Sequence, residues 1–153
     1  MREGERLNED GHQLCALVID DEPAIRALVT DLLTTLFDAD VDSADGGAAG
    51  LELFSKGRYD LVLTDLLMPD MLGWEVTETL RRWKPDARVI ILTGSASGAD
   101  ARRAREAGIT LVTKPVTIAD FKQVIEDVLS GEPSPGHCVR GSGPAVSGDA
   151  VAS

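Results

Sequence analysis

The chain has 153 residues, of which 43% are hydrophobic and 27% charged, a composition typical of one compact domain with its own core. Its 26 acidic and 15 basic residues give a formal net charge of -11, which repels the phosphates of nucleic acids and of anionic lipids. The composition therefore argues against nucleic acid and against a membrane surface as partners.

The cysteines and the N-terminal segment indicate the compartment. Cys15 and Cys138 have neither the spacing of a disulfide framework nor that of a metal motif, which favours a reducing setting. No apolar segment is long enough to span a bilayer, and residues 1–10 lack the apolar region of a signal peptide. We therefore expect a cytoplasmic protein.

Short apolar segments alternate with longer segments of helical periodicity along most of the chain. Strands are predicted at 14–19, 39–44, 60–64, 88–93 and 109–113. A helix is predicted after each strand, and the first begins at Pro23, whose fixed φ suits a first helical turn. Its apolar side chains recur every three or four residues, at Ile25, Leu28, Val29, Leu32, Leu33 and Leu36. The later helices are predicted around 51–54 and 76–83, and at 99–107 and 118–129.

This alternation predicts an α/β fold with a five-stranded parallel sheet. Four of the predicted strands are nearly continuous aliphatic runs, as a sheet covered by helices on both faces requires. The pattern predicts a globular part over 14–130, after a flexible N-terminal segment at 1–13. Residues 131–153 are rich in Gly, Pro, Ser and Ala without apolar periodicity, which predicts a disordered tail or a linker.

Polar side chains stand where four of the predicted strands end: Asp20 and Asp21 after the first, Asp65 after the third, Thr93 at the end of the fourth and Lys114 after the fifth. Ligands of open α/β sheets bind at the carboxyl ends of the strands, so we expect these residues at one edge. Clustered carboxylates are tolerable around a hard cation such as Mg²⁺. A strand-end Asp pair alone is more often only a favourable charge at a helix N-terminus. The joint occurrence at four strand ends favours a metal-dependent site.

Four segments carry a family resemblance: LVIDDEP (17–23), DLVLTDLLMPDMLGWE (60–75), VIILTG (89–94) and LVTKP (111–115). Their order and spacing resemble the receiver domain of bacterial two-component response regulators of the chemotaxis-regulator type. The resemblance covers about residues 14–130. It implies a flavodoxin-like (βα)5 doubly wound fold with strand order 2-1-3-4-5.

The resemblance also implies roles for the strand-end residues. Asp65 matches the phosphoacceptor, Thr93 the switch hydroxyl and Lys114 the lysine of the site. Mg²⁺ is the implied cofactor, and its implied ligands are Asp20, Asp21, Asp65 and the backbone carbonyl of Leu67.

The function implied is a phosphorylation-dependent signalling switch, which takes a phosphoryl group from a sensor histidine kinase or a histidine phosphotransfer protein. Such a domain catalyses only its own phosphorylation and slow dephosphorylation, so it is not expected to be an enzyme with a separate substrate. It would signal by binding a downstream protein, as a monomer or as a phosphorylation-linked dimer. Because no output domain follows residue 131, a stand-alone receiver is expected first.

Two positions depart from the family pattern. Receivers commonly carry Tyr or Phe where this chain has Leu111, so the usual aromatic reporter of activation is absent. Polar side chains two residues after the phosphoacceptor and two after the threonine can hold the hydrolytic water, but here these are Leu67 and the short Ser95. We therefore predict slow dephosphorylation.

Two alternatives remain open from the sequence. One is the receiver segment of a hybrid sensor kinase, or a phosphorelay intermediate, with which the LTG sequence after the fourth strand is compatible. The other is a haloacid-dehalogenase-like phosphatase, which also uses a strand-end Asp nucleophile with Mg²⁺. That family requires a second Asp two residues after the nucleophile, whereas Asp20 is followed by Asp21 and Glu22. The spacing argues against the phosphatase.

Overall fold

The computed structural model describes residues 13–114 and 116–130 and the backbone of 138–139. The strands are β1 (Cys15–Ile19), β2 (Asp40–Ala44), β3 (Leu61–Thr64), β4 (Val89–Thr93), β5 (Thr110–Thr113) and β6 (Cys138–Val139). The helices are α1 (Pro23–Phe37), α2 (Gly47–Lys56), α3 (Gly73–Trp83), α4 (Gly98–Ala107) and α5 (Ile118–Leu129). Each predicted strand is present and ends at the predicted residue, so the strand-end positions of the sequence analysis are correct.

The strand order is β2-β1-β3-β4-β5-β6, and the described strand pairings are parallel. The first five strands confirm the predicted flavodoxin-like (βα)5 fold with order 2-1-3-4-5. Strand β6 was not predicted, and its two residues pair parallel to β5. Except for Gln13 and residues 138–139, the predicted flexible segment 1–13 and the predicted tail 131–153 lie outside the described residues. Both remain predictions.

The chain divides into two compact units, Met1–Val89 and Ile90–Ser153. In the first unit β1 lies between β2 and β3. The residues of β1 and β3 are buried almost throughout. The edge strand β2 is mostly exposed and carries Asp40 and Asp42, charges of the kind that discourage pairing with another chain at a sheet edge.

Helix α1 buries a narrower face than its apolar pattern suggests. Its buried residues are Val29, Leu33 and Phe37, at intervals of four. Leu28, part of the predicted stripe, is 53% exposed. Neighbouring positions on a helix are about 100° apart, so the side chain of Leu28 lies outside the buried face formed by Val29, Leu33 and Phe37.

Helix α2 approaches β1 closely because of a glycine. A Cβ added at Gly50 would lie 2.7 Å from Cγ1 of Ile19. A side chain at residue 50 would require Ile19 to move, so glycine lets the helix backbone lie against the end of β1. This end of β1 is the one followed by Asp20.

In the second unit β4 and β5 pair with Thr93 opposite Thr113. Helix α4 begins after Ser97, whose hydroxyl accepts a hydrogen bond from the Asp100 N–H at 3.0 Å. The helix ends at Gly108, whose φ of 69° is the left-handed conformation that glycine adopts at low cost. Among the described helices of both units, none is long and apolar enough to cross a bilayer.

Candidate functional site

Three carboxylates of the first unit form the candidate site. Each of Asp20, Asp21 and Asp65 offers one oxygen, and these oxygens lie within 4.8 Å of one another. Asp20 and Asp65 are buried, with 4% and 8% exposure, and Asp21 is half-buried. Within residues 13–114 and 116–130 this is the one group of acidic, histidine or cysteine side chains that could hold a metal ion. An all-oxygen set of this kind fits Mg²⁺, which prefers a few carboxylates and completes its octahedron with water.

The sheet register explains why these carboxylates meet. Ile19 of β1 pairs with Thr64 of β3, so Asp20 and Asp65 are the next residues of two neighbouring parallel strands. The Asp65 N–H donates to the Ile19 carbonyl at 2.9 Å, and the Asp20 N–H donates to the Ala44 carbonyl at 3.1 Å. The backbone ladder thus continues one residue beyond the strands and holds both carboxylates at the edge.

Short local hydrogen bonds orient the two buried carboxylates. Oδ1 of Asp20 accepts from the Glu22 N–H at 2.9 Å, and Oδ1 of Asp65 accepts from the Leu66 N–H at 2.8 Å. Nη1 of Arg26 donates to the carbonyl of Asp20 at 2.7 Å, which brings a cation from α1 to the loop after β1. Because backbone amides hold these oxygens, the side chains need little reorganisation to receive a cation.

The loop after β3 folds back on itself. The Gly73 N–H donates to the Leu66 carbonyl at 2.7 Å, and Leu67 and Leu72 form an isolated antiparallel bridge. The side chain of Leu67 is 58% exposed. This apolar side chain, two residues after Asp65, therefore lies at the surface.

Thr93 and Lys114 come together in the second unit. Thr93 is buried, and its hydroxyl donates to the Ser95 carbonyl at 3.1 Å. The Lys114 N–H donates to the Thr93 carbonyl at 2.7 Å, so Lys114 directly follows the β4–β5 ladder. Leu111, at the position where the family commonly has an aromatic ring, is fully buried in β5.

A cavity of about 490 Å³ lies at the amino-terminal ends of β3 and β4, opposite the strand ends that carry the carboxylates. Its lining does not support a functional site. Arg58, Lys84 and Arg88 line it, but the carboxylates of Asp60 and Asp86 line it too. Nζ of Lys84 already pairs with Asp86 at 3.1 Å. These charges of opposite sign favour no particular ligand.

Asp70, in the loop after β3, makes a contact that was not predicted from the sequence. Its Oδ1 accepts from the Gly47 N–H at 3.0 Å and its Oδ2 from the Ala48 N–H at 2.9 Å. These hydrogen bonds, that of Ala48 first, lower the pKa of Asp70. Its partners are 23 and 22 residues away, so no local pattern signals the contact.

Comparison with known proteins identifies the family. A family model, the response regulator receiver domain, matches residues 16–126. The chain therefore belongs to the response regulator receiver domain family of two-component systems. This membership confirms the resemblance noted in the sequence and leaves the phosphatase alternative without support.

Individual relatives show the same similarity. Over 76% of its length the chain is 33% identical to Sensor histidine kinase RcsC of Escherichia coli (strain K12), of which it covers 12%. It is 35% identical over 74% of its length to Transcriptional regulatory protein GlrR of the same strain, of which it covers 26%. The crystal structure of response regulator protein TrrA from Thermotoga maritima, in complex with Mg(2+)-BeF, is 33% identical with a TM-score of 0.69, over 76% of this chain and 100% of TrrA. The chain thus spans only a minor part of the two curated relatives.

Proposed function

We propose that this protein is a phosphorylation-dependent signalling switch that accepts a phosphoryl group on Asp65. The observation that carries the proposal is the cluster of Asp20, Asp21 and Asp65, whose oxygens lie within 4.8 Å. Three carboxylates so close repel one another, and two of them are buried. A site of this kind is suited to a bound cation, whose positive charge then allows an anion to approach the carboxylates.

The cluster would hold Mg²⁺ through Asp20, Asp21, Asp65 and the backbone carbonyl of Leu67. When bound, the cation supplies positive charge that offsets the negative charge of the transferring phosphoryl oxygens. Asp65 is the nucleophile: a carboxylate oxygen forms the new bond to phosphorus while the bond from phosphorus to the donor's histidine nitrogen breaks. The Leu66 N–H holds Oδ1 of Asp65 and so limits rotation of the carboxylate during attack.

Thr93 and Lys114 would each donate a hydrogen bond to the phosphoryl oxygens, the roles that the family resemblance implies. The Thr93 hydroxyl already donates to the Ser95 carbonyl, so donation to a phosphoryl oxygen requires that bond to break. Phosphorylation would then favour a second arrangement of the loop after β4. In thermodynamic terms, the phosphoryl group shifts the population toward the conformer that binds it better.

The phosphoryl donor would be a sensor histidine kinase or a histidine phosphotransfer protein, and such a donor places the domain in the cytoplasm. The output would be binding to a downstream protein, so the chain is a switch and catalyses only its own phosphorylation and dephosphorylation. A receiver segment within a hybrid kinase or a phosphorelay is the second candidate. The similarity to a segment of RcsC, a sensor histidine kinase, favours that second candidate.

The test is the intact mass of the protein after incubation with acetyl phosphate and Mg²⁺, for the wild type and for Asp65→Asn in parallel. We expect the wild type alone to gain one phosphoryl group. An equal gain in the variant would show that another residue is the acceptor. If the wild type gains no phosphoryl group from acetyl phosphate and none from a phosphorylated histidine phosphotransfer protein, the proposed function is refuted.

A further inference from the structure

Asp70 caps the N-terminus of α2, which has no capping side chain of its own. Helix α2 begins after Gly46, which has no side chain to accept a hydrogen bond, and its first turn carries no acidic residue. The carboxylate of Asp70 instead accepts from Gly47 and Ala48, the first two residues of the helix. A carboxylate at a helix N-terminus is favourable because it satisfies unpaired N–H groups and faces the positive end of the helix dipole.

The packing around this contact is tight enough to fix the loop against α2. A Cβ at Gly46 would lie 3.0 Å from Oδ1 of Asp70, and a Cβ at Gly47 would lie 2.6 Å from Sδ of Met71. Two adjacent glycines, the N-cap residue and the first residue of the helix, therefore make room for two adjacent residues of the loop. The tip of the loop after β3 is attached to the N-terminus of α2 by both hydrogen bonds and packing.

The same loop contains two parts of the proposed site. Its start is held independently of Asp70, since the Asp65 N–H bonds to Ile19 and the Leu66 carbonyl accepts from Gly73. Leu67 lies between this start and the tip, next to the buried Met68. Leu67 also pairs with Leu72 in the isolated antiparallel bridge, and Leu72 follows the tip, so the position of the Leu67 backbone carbonyl depends on both sides of the loop.

We propose that Asp70 is a positioning residue for the metal site: by tethering the loop to α2, it places the Leu67 backbone carbonyl for Mg²⁺. The inference rests on the proposed function, because it takes the Leu67 carbonyl as a metal ligand. It adds that the metal site and the N-terminus of α2 are coupled. Loss of the hydrogen bonds between Asp70 and the N-terminus of α2 therefore weakens Mg²⁺ binding at the carboxylate cluster.

The experiment compares Mg²⁺ binding by the wild type and by Asp70→Asn, measured by isothermal titration calorimetry at neutral pH and constant ionic strength. An Asn side chain offers one acceptor oxygen in place of two and no charge, so the bidentate contact is lost. Residues that orient a metal ligand typically contribute tenfold or more in affinity, and we expect about a three- to tenfold higher Kd because Asp70 acts at a distance. Amide hydrogen exchange should also become faster at Gly47, at Ala48 and within residues 66–73.

Two control variants separate this effect from general destabilisation and from charge. Tyr59→Phe removes the 2.6 Å hydrogen bond from the Tyr59 hydroxyl to Asp42, beyond the C-terminal end of α2. Glu52→Gln removes one negative charge from an exposed position on α2. Neither touches the loop after β3, so both should bind Mg²⁺ within about twofold of the wild type, as expected for surface sites away from the ligands.

Three results are informative in different ways. If Asp70→Asn binds Mg²⁺ as the wild type does while Gly47 and Ala48 exchange faster, Asp70 is a helix cap only and the inference is wrong. If exchange is also unchanged, the tether does not form in solution, which equally overturns it. If the wild type itself binds no Mg²⁺ at millimolar concentrations, the proposed function fails rather than the role of Asp70.

Discussion

Gly73 is the position where one added methyl group should directly disturb Asp65, the proposed phosphoacceptor. It is the first residue of α3 and is buried. A Cβ placed there would collide with the backbone carbonyl oxygen of Asp65 and lie 3.0 Å from Cα of Leu66. Both obstacles are main-chain atoms held by the ladder from β1, so they cannot rotate away as a flexible side chain would.

The magnitude for Gly73→Ala follows from two opposing terms. Overpacking a close-packed site costs about 1–3 kcal/mol. Replacing Gly by Ala in a helix gains up to about 1 kcal/mol. The gain is smaller at the first position of a helix, so we expect a net loss of about 1–2 kcal/mol in the free energy of unfolding.

Gly98→Ala is the matched control, because Gly98 is the first residue of α4 and a Cβ there meets nothing within 4 Å. This variant should be unchanged or more stable by about 0.4–1 kcal/mol, since Ala restricts the unfolded chain. Urea unfolding at constant m-value measures both variants. Equal stabilities for Gly73→Ala and Gly98→Ala would refute the reasoning. We also expect Gly73→Ala to be phosphorylated about tenfold more slowly while folded, since small displacements of a reacting group are costly.

Three further outcomes are expected. In excess EDTA, phosphoryl incorporation should fall to background, because the carboxylates then repel the incoming phosphate; substantial incorporation by mass would contradict this. The phosphorylated wild type should persist for many minutes, because neither the apolar Leu67 nor the short Ser95 can hold a hydrolytic water. Leu67→Asn should shorten the lifetime, and an unchanged lifetime would rule out this explanation. Burial, followed by the nearby Asp60, raises the pKa of the Cys15 thiol, so less reactive thiolate is present at a given pH. In a Cys138→Ser background, alkylation of Cys15 should therefore need a higher pH in the folded protein than in urea, and coinciding pH–rate profiles would contradict the shift.

The sequence by itself determined the fold and the place of the candidate site. Aliphatic runs and helical periodicity are local signals, and they located the ends of the five strands at the residues observed. Residues that follow neighbouring parallel strands must lie at the same edge of the sheet. The proximity of Asp20, Asp21 and Asp65 was therefore expected from one-dimensional order, and the structure places their oxygens within 4.8 Å.

Only the tertiary structure decided how these elements fit against one another. The burial of Phe37 in place of Leu28 depends on the rotation of α1, which its broad apolar pattern left open. The contact between Asp70 and α2 and the tight space at Gly73 depend on the path of the loop after β3. These contacts join segments that are distant along the chain or fold back sharply, and their distances follow from packing in three dimensions. A sequence pattern records periodicity and residue type, but it contains no measure of such distances.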